Sequence, residues 1–455
     1  MTRQAIDFFQ SALTRSPLID RLREHKAAVA SVVAMSIKAV GALLMIAVFT
    51  LAARAMSAND FGQLAVWYNA VSLLAVAAVF GQDTLIARLW GEYSGRGEHA
   101  AARSAYRFGR RITIVSAAVF VLGLLLVTPI IGVKIAPEAL FAVAAFLFAQ
   151  TFLHFSSHSS RVVVGFIVSE LNREMMWRLV LLAVVAWAAV FHQLTMAQFF
   201  AAAVVGMIFS VLFQSLAVRR RLAEGPTEGG AADSPAWFAS SRAMWISAVV
   251  EAVSQYADVM LIGYFASPAV AGEYFVAARI ANIFLMVTTG LHTYSMSHSA
   301  NLFFSNQIHK LQDILRSLAT VSLAFLLPPV VVIVLGGKLI LSIFGAHYAG
   351  VYPTLIVLAL AAFGRSLCGP APGILLTTGH ERLYSWIVIV ATATRMLLTA
   401  FLAAKYGALG AACGWAIGNL PLFVGLAIIC RAVCGVDPSI AAIFTHWRSR
   451  TAART

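Results

Sequence analysis

Charge and polar linkers are what this sequence has least of. Only 11% of its 455 residues are charged, against 60% hydrophobic. A mean hydropathy of +0.84 places the chain in the membrane class. No loop is long enough to fold into a soluble domain, so any activity must reside in the apolar part. Acid is the scarcer charge, with 19 Asp and Glu residues against 33 Lys and Arg. Neither an acid pair nor a His-Asp constellation falls in a loop, which argues against an enzyme with a loop-borne catalytic centre. The cysteines are Cys368, Cys413, Cys430 and Cys434, all in apolar stretches, with neither zinc-site spacing nor a disulfide frame. His154 and His158 lie one turn apart in HFSSH, but no third ligand is near, so they read as polar lining and not as a metal site. No cofactor motif is found.

What the chain does have is twelve long apolar runs, near 28–53, 61–90, 111–133, 138–160, 176–193, 197–218, 241–264, 270–296, 316–344, 351–377, 383–404 and 407–433. Each supplies the roughly 20 apolar residues a helix needs to cross about 30 Å of hydrocarbon. The first run is too long for a signal-peptide core and lacks a small-residue cleavage site, so it reads as retained. The expected fold is an all-α integral membrane protein, with twelve transmembrane helices in two six-helix lobes around a central cavity. The most polar internal stretch, RRRLAEGPTEGGAADSP at 219–235, follows the sixth run. The expected divisions are an N-terminal segment (1–27), an N-lobe (28–218), a linker (219–240), a C-lobe (241–433) and a tail (434–455). The lobes share a weak repeat: SANDFGQLAVWYNAVSLL at 57–74 aligns with SPAVAGEYFVAARIANIF at 267–284, matching Ser57 with Ser267, Gly62 with Gly272 and Val66 with Val276. A six-plus-six duplication is a common transporter plan, with substrate bound between the halves.

The net charge of +14 would suggest nucleic acid in a soluble protein, but its placement says otherwise. With the N-terminus inside, 24 of the 33 basic residues fall on inner loops and termini, including six from Arg88 to Arg111 and the run Arg219, Arg220 and Arg221. Only Arg54, Lys134, Lys338 and Lys405 fall outside. This is the positive-inside bias, which places both termini in the cytoplasm and the basic excess against anionic lipid headgroups. Nucleic acid is not an expected partner.

Three helices carry breakers: the ninth Pro328-Pro329, the tenth GRSLCGPAPG at 364–373 and the twelfth Asn419-Leu420-Pro421. Proline removes a helical hydrogen bond and kinks the chain, so interruptions are expected in all three, with the tenth the strongest candidate for a hinge.

Four landmarks in order carry a family resemblance: Asn59-Asp60-Phe61-Gly62; Asp258-Val-Met-Leu-Ile-Gly263 followed by Ala271-Gly272-Glu273-Tyr274; Phe344-Gly345-Ala-His-Tyr348 followed by Thr377-Thr378-Gly379; and Tyr406-Gly407-Ala-Leu-Gly410. Over about residues 28–435 the chain resembles the polysaccharide-transporter branch, the Wzx-type flippases, of the multidrug/oligosaccharidyl-lipid/polysaccharide exporter superfamily. The resemblance implies a two-lobed carrier that moves lipid-linked oligosaccharide, usually on undecaprenyl pyrophosphate, across the bacterial inner membrane by alternating access. It also implies a polysaccharide polymerase and glycosyltransferases as the usual company. A lipid II flippase of the same superfamily would share a positive cavity but usually carries two extra helices. A multidrug antiporter would share the plan but suits an acidic cavity.

Charges within the runs are the candidate site. Burying a charge in hydrocarbon costs several kcal/mol, so such residues face the bundle interior or a wet cavity. Lys38, Arg279, Arg365 and Arg395 lie within roughly 10 Å of the midplane. Together they would line a positive cavity suited to a pyrophosphate headgroup, because guanidinium matches phosphate oxygens and lysine acts as a point charge. Thr392 and Thr399 share a face with Arg395, and Asn282 with Arg279. On the seventh run Glu251, Gln255 and Asp258 fall on one face, at i, i+4 and i+7. Glu251 and Asp258 are the candidates for coupling to a proton or sodium. Asp258 and Arg279 have similar depth on consecutive helices, and a pair between them is expected. Asp83, near the inner end of the second run, reads as packing.

Overall fold

Long apolar periods with few breakers leave almost every residue in a helix. The computed structural model describes residues 17–191, 194–223, 234–285, 288, 299 and 302–444, with side chains from Ser36 onward, Glu381 excepted. Most of the 1–27 segment, the middle of the 219–240 linker, the later part of the eighth run and the end of the 434–455 tail lie outside the described residues. Among the described residues there is no strand, and ten helices are long and apolar enough to cross a membrane. In chain order they run α1 (Pro17–Ala55), α2 (Ala58–Val79), α3 (Gln82–Gly95), α4 (His99–Ile130), α5 (Pro137–Val163), α6 (Phe166–Phe191) and α7 (Met196–Ala223). The second set is α8 (Ser234–Phe265), α9 (Pro268–Ala281), α10 (Ile308–Phe344), α11 (Tyr352–Leu367), α12 (Ala371–Thr377) and α13 (Glu381–Cys434). α2 with α3 forms the second span, α9 opens the eighth, α11 with α12 forms the tenth, and α13 holds the last two. The result is twelve spans in two lobes. The end of the bundle that carries Arg88 and Arg219 to Arg221 is the basic end below; the other is the far end.

The repeat in the sequence has a local structural counterpart. Ser57 caps α2 by accepting from the Asp60 amide at 3.1 Å, and Ser267 caps α9 by accepting from the Val270 amide at 3.3 Å. Each cap satisfies one of the amide groups that a helix start leaves free. Five residues on, Gly62 and Gly272 meet where α2 crosses α9. A Cβ built on Gly62 would lie 1.8 Å from the Pro268 carbonyl oxygen, and one on Gly272 would lie 3.1 Å from Gly62 Cα. Only glycine permits backbones this close.

The second span breaks where the sequence reading placed none. Phe80 (φ 55°) and Gly81 (φ 70°) both take the left-handed conformation between α2 and α3. The tenth span breaks at Cys368–Pro370, as its glycines and prolines suggested, with Gly369 at φ 71°. The interruptions expected in the ninth and twelfth are not formed. α10 runs through Pro328-Pro329, and α13 is non-helical only at Tyr406 and Gly407, not at Pro421. A proline costs a helix one hydrogen bond per residue. In a bilayer the bonds that remain have no water to compete with them, so the helix continues.

Gly407 (φ 61°) folds α13 into two arms. Gly410, Gly414 and Gly418 recur every fourth residue along the second arm. A Cβ on Gly414 would fall 2.7 Å from Thr399 Cα, and one on Gly418 would fall 2.5 Å from Arg395 Cβ. This bare ridge lets the arms pack backbone to side chain. It also presses on the turn of the first arm that carries Arg395.

At the far end an apolar cluster runs across both lobes, including Phe49, Phe61, Tyr68, Phe275 and Tyr348. Phe61 meets Tyr348 with ring centroids 6.2 Å apart, and the Arg54 guanidinium donates to the Ile343 carbonyl at 2.6 Å. The α2–α8 seam continues to the basic end, where Trp245 donates to the Ala77 carbonyl at 2.7 Å and stacks on Phe80 at 5.1 Å. α1 differs. Near its middle Lys38, Val40 and Leu43 are exposed. The segment expected as a tail opens with a folded strap. The Gln312 side chain exchanges hydrogen bonds with the Asp437 amide (2.8 Å) and carbonyl (3.1 Å), Arg431 pairs with Asp437, and Arg316 donates to the Ala442 carbonyl at 3.1 Å.

Candidate functional site

The sharpest departure from expectation concerns Asp258. It does not pair with Arg279. Its partner is Arg395, 137 residues away in sequence, whose Nη1 reaches Oδ1 at 2.6 Å and also contacts Oδ2. Arg395 Nη2 donates to the Ser254 carbonyl at 3.1 Å. The pair is buried, with side chains 3% and 9% exposed. The physical reason is geometric: the glycine ridge drives the first arm of α13 towards α8, while Arg279 leaves its helix on another side. The expectation that four cations line the cavity is corrected accordingly. Arg395 is enclosed and neutralised, and the Asp258 carboxylate is occupied by it.

Arg279 sits instead against aromatic faces. Its guanidinium carbon lies 4.7 Å from the ring centroid of Phe275, 5.4 Å from that of Phe49 and 5.6 Å from that of Tyr68. Arg365 lies 4.3 Å over Phe423. Among the described residues, neither arginine has a carboxylate partner, and Lys38 has none either. Lys38 is exposed, and Arg279 and Arg365 are partly so. Glu251 and Gln255 are exposed on α8, on the wall that Asp258 closes. Glu251 also has no ion pair among the described residues, and it lies within electrostatic range of Tyr256 and Tyr384. Tyr384 in turn lies in range of Arg365.

The fifth apolar run starts at 176, which leaves Arg161 and Arg173 before it among the 24 inner basic residues, with Arg178 at its edge. The helix begins ten residues earlier, at Phe166, and contains a π-helical turn from Asn172 to Met176. Glu170, Arg173, Glu174 and Arg178 therefore belong to its first turns. Arg161 pairs with the fully buried Glu170, and Arg178 with Glu174. The apolar FIVSEL just before NREMM was the signal for the earlier start. These neighbours use up the two acids, so Glu170 and Glu174 add no free negative charge. His158 Nδ1 lies 2.9 Å from the His154 carbonyl oxygen, with Asp83 and Arg173 in range. Among the described residues, no group of three His, Cys, Asp or Glu side chains can hold a metal.

Taken together, the long apolar helices and the two lobes closed at the far end define a multi-pass membrane protein with a polar centre. No family model and no curated protein matches the chain by sequence. Solved structures do match. An inward-facing conformation of a multidrug resistance MATE family transporter of the MOP superfamily aligns over 92% of this chain and 100% of that one, at TM-score 0.71 and 12% identity. The lipid II flippase MurJ, inward closed, aligns over 86% of each chain at TM-score 0.65 and 12% identity. A MOP-superfamily transporter from Pyrococcus furiosus aligns over 89% of this chain and 94% of that one, at TM-score 0.63 and 14% identity. The chain therefore has the fold of MOP-superfamily transporters.

Proposed function

We propose that the protein is a flippase that moves a polyprenyl-pyrophosphate-linked oligosaccharide from the inner to the outer leaflet of a bacterial inner membrane by alternating access. The observation that carries this reading is the charge balance at the centre. Lys38, Arg279 and Arg365 have no carboxylate partner among the described residues, while Glu251 is the one unpaired acid of the candidate set. An uncompensated charge inside a membrane protein is costly and marks a ligand path. Three unpaired cations call for a ligand with at least two negative charges, which a pyrophosphate supplies, with guanidinium edges matched to its oxygens. Polar side chains on the same walls, such as Gln255, can accept sugar hydroxyls. Glu251 remains the coupling candidate, and the basic end is assigned to the cytoplasm on the 24-to-4 bias of basic residues.

The test is leaflet exchange in liposomes. Purified protein is expected to flip a fluorescent undecaprenyl-pyrophosphate oligosaccharide, and Arg279→Ala or Arg365→Ala is expected to abolish flipping while the protein remains folded. Lipid II serves as a second substrate, because its pyrophosphate is the same and only its sugar and peptide differ. Transport of a cationic dye with no movement of either pyrophosphate lipid would overturn the reading in favour of a drug antiporter.

A further inference from the structure

Arg279 is charged, central and without a carboxylate partner among the described residues, so its surroundings must hold it in place by other means. Three rings do so, and they meet nearly at right angles: Phe49 with Phe275 at 84° and 4.8 Å, and Phe49 with Tyr68 at 86° and 5.2 Å. The guanidinium carbon lies within 5.6 Å of all three centroids. Rings set at such angles cannot all lie face-on to a flat ion; together they enclose the side of the guanidinium that faces the corner and leave the N–H groups turned away from it to a ligand. The rings also keep water from the enclosed side, so attraction to an anion at the free N–H groups is less screened.

The origin of the rings matters. Phe275 is one turn before Arg279 on α9, in the C-lobe, whereas Phe49 on α1 and Tyr68 on α2 belong to the N-lobe. The corner therefore exists only while the lobes are in contact at the far end, where Gly62 and Gly272 cross and Phe61 packs on both Phe275 (6.2 Å) and Tyr348 (6.2 Å). Opening that end draws Phe49 and Tyr68 away with α1 and α2. Arg279 then keeps Phe275 alone, and water takes the place of two rings.

We infer that the Phe49–Tyr68–Phe275 corner is an affinity switch, in which Arg279 holds a pyrophosphate group tightly while the far end is shut and loosely once it opens. This rests on the reading above that Arg279 contacts such a headgroup. The affinity changes through packing alone, since the arginine stays charged in both states while its environment changes. By linkage, the ligand favours the shut state and the coupling ion must drive the opening.

Titration of the purified full chain in detergent with inorganic pyrophosphate tests this. The double variant Phe49→Leu/Tyr68→Leu keeps apolar bulk but removes two ring faces, and it is expected to bind about tenfold more weakly than wild type. Tyr68→Phe keeps the face and is expected to bind more tightly than Tyr68→Leu. Gly62→Ala, which wedges the far end open with all three rings present, is expected to weaken binding by a similar factor and guards against a folding defect in the double variant. Wild-type affinity in both the leucine variant and Gly62→Ala, with binding still lost in Arg279→Ala, would sink the switch and leave the headgroup reading intact. If wild type binds no pyrophosphate and no farnesyl pyrophosphate, both readings fall together.

Discussion

Gly62→Ala offers a direct test of the far-end seal. The added Cβ would fall 1.8 Å from the Pro268 carbonyl oxygen, 2.3 Å from its carbon and 2.9 Å from the Ala269 amide nitrogen. All three are backbone atoms, so no side chain can rotate out of the way. Ordinary contact lies at about 3.5 Å, and α2 and α9 must separate by roughly 1.7 Å to reach it. Overpacking of this kind costs about 1–3 kcal/mol. The upper half of that range weakens the shut state about 30- to 150-fold relative to the open one. The assay is maleimide labelling of an Ala271→Cys reporter, in a background free of the native cysteines. Ala271 is fully buried in the seam, so the reporter is expected to stay silent in otherwise wild-type protein and to label in Gly62→Ala. Gly91→Ala, with nothing within 4 Å of its Cβ, is the control. A silent reporter in folded Gly62→Ala protein would refute the claim that this crossing holds the far end shut.

Three further outcomes follow from the geometry. Asp258→Ala or Arg395→Ala alone is expected to lower unfolding stability by about 3–5 kcal/mol, because each strands a buried charge, whereas Asp258→Leu with Arg395→Met should recover most of it; unchanged thermal unfolding of the single variants would show that the pair is not enclosed. Gln312→Leu removes both bonds to the Asp437 backbone, at a cost of about 2–4 kcal/mol, and is expected to expose residues 435–444 to limited proteolysis, so resistance equal to wild type would mean the strap is held without it. Glu251→Gln is expected to flatten the dependence of flipping on a proton or sodium gradient, and an unaltered dependence would remove Glu251 from coupling.

Much of the fold was legible because it depends on composition and local chemistry. Twelve apolar runs, a basic end and the Ser57/Ser267 and Gly62/Gly272 correspondences are all properties of short stretches, and the caps and the crossing follow from them. The helix breaks were legible only in part. Proline marks a lost hydrogen bond, yet whether the helix stops depends on what surrounds it, and α10 and α13 pass through Pro328-Pro329 and Pro421. The Phe80–Gly81 break carried a weaker mark, one glycine before the polar Gln82-Asp83. The site was least legible. Depth along a helix is readable from residue number, but direction around it is not, so Asp258 was matched with Arg279 by depth while the glycine ridge of α13 delivers Arg395. The ring corner around Arg279 draws on α1, α2 and α9, and no spacing rule in one segment discloses it.

The Asp258–Arg395 pair has a consequence for how the chain is made. Its partners are 137 residues apart. At ribosomal speeds of about 5–20 residues per second, α8 emerges roughly 7–27 s before the arginine that will neutralise it. Through that interval Asp258 must carry a proton or wait beside the insertion machinery, since an unpaired carboxylate in lipid is costly. α8 is thus the first span of its lobe to be synthesised and one of the last to be settled in the bilayer.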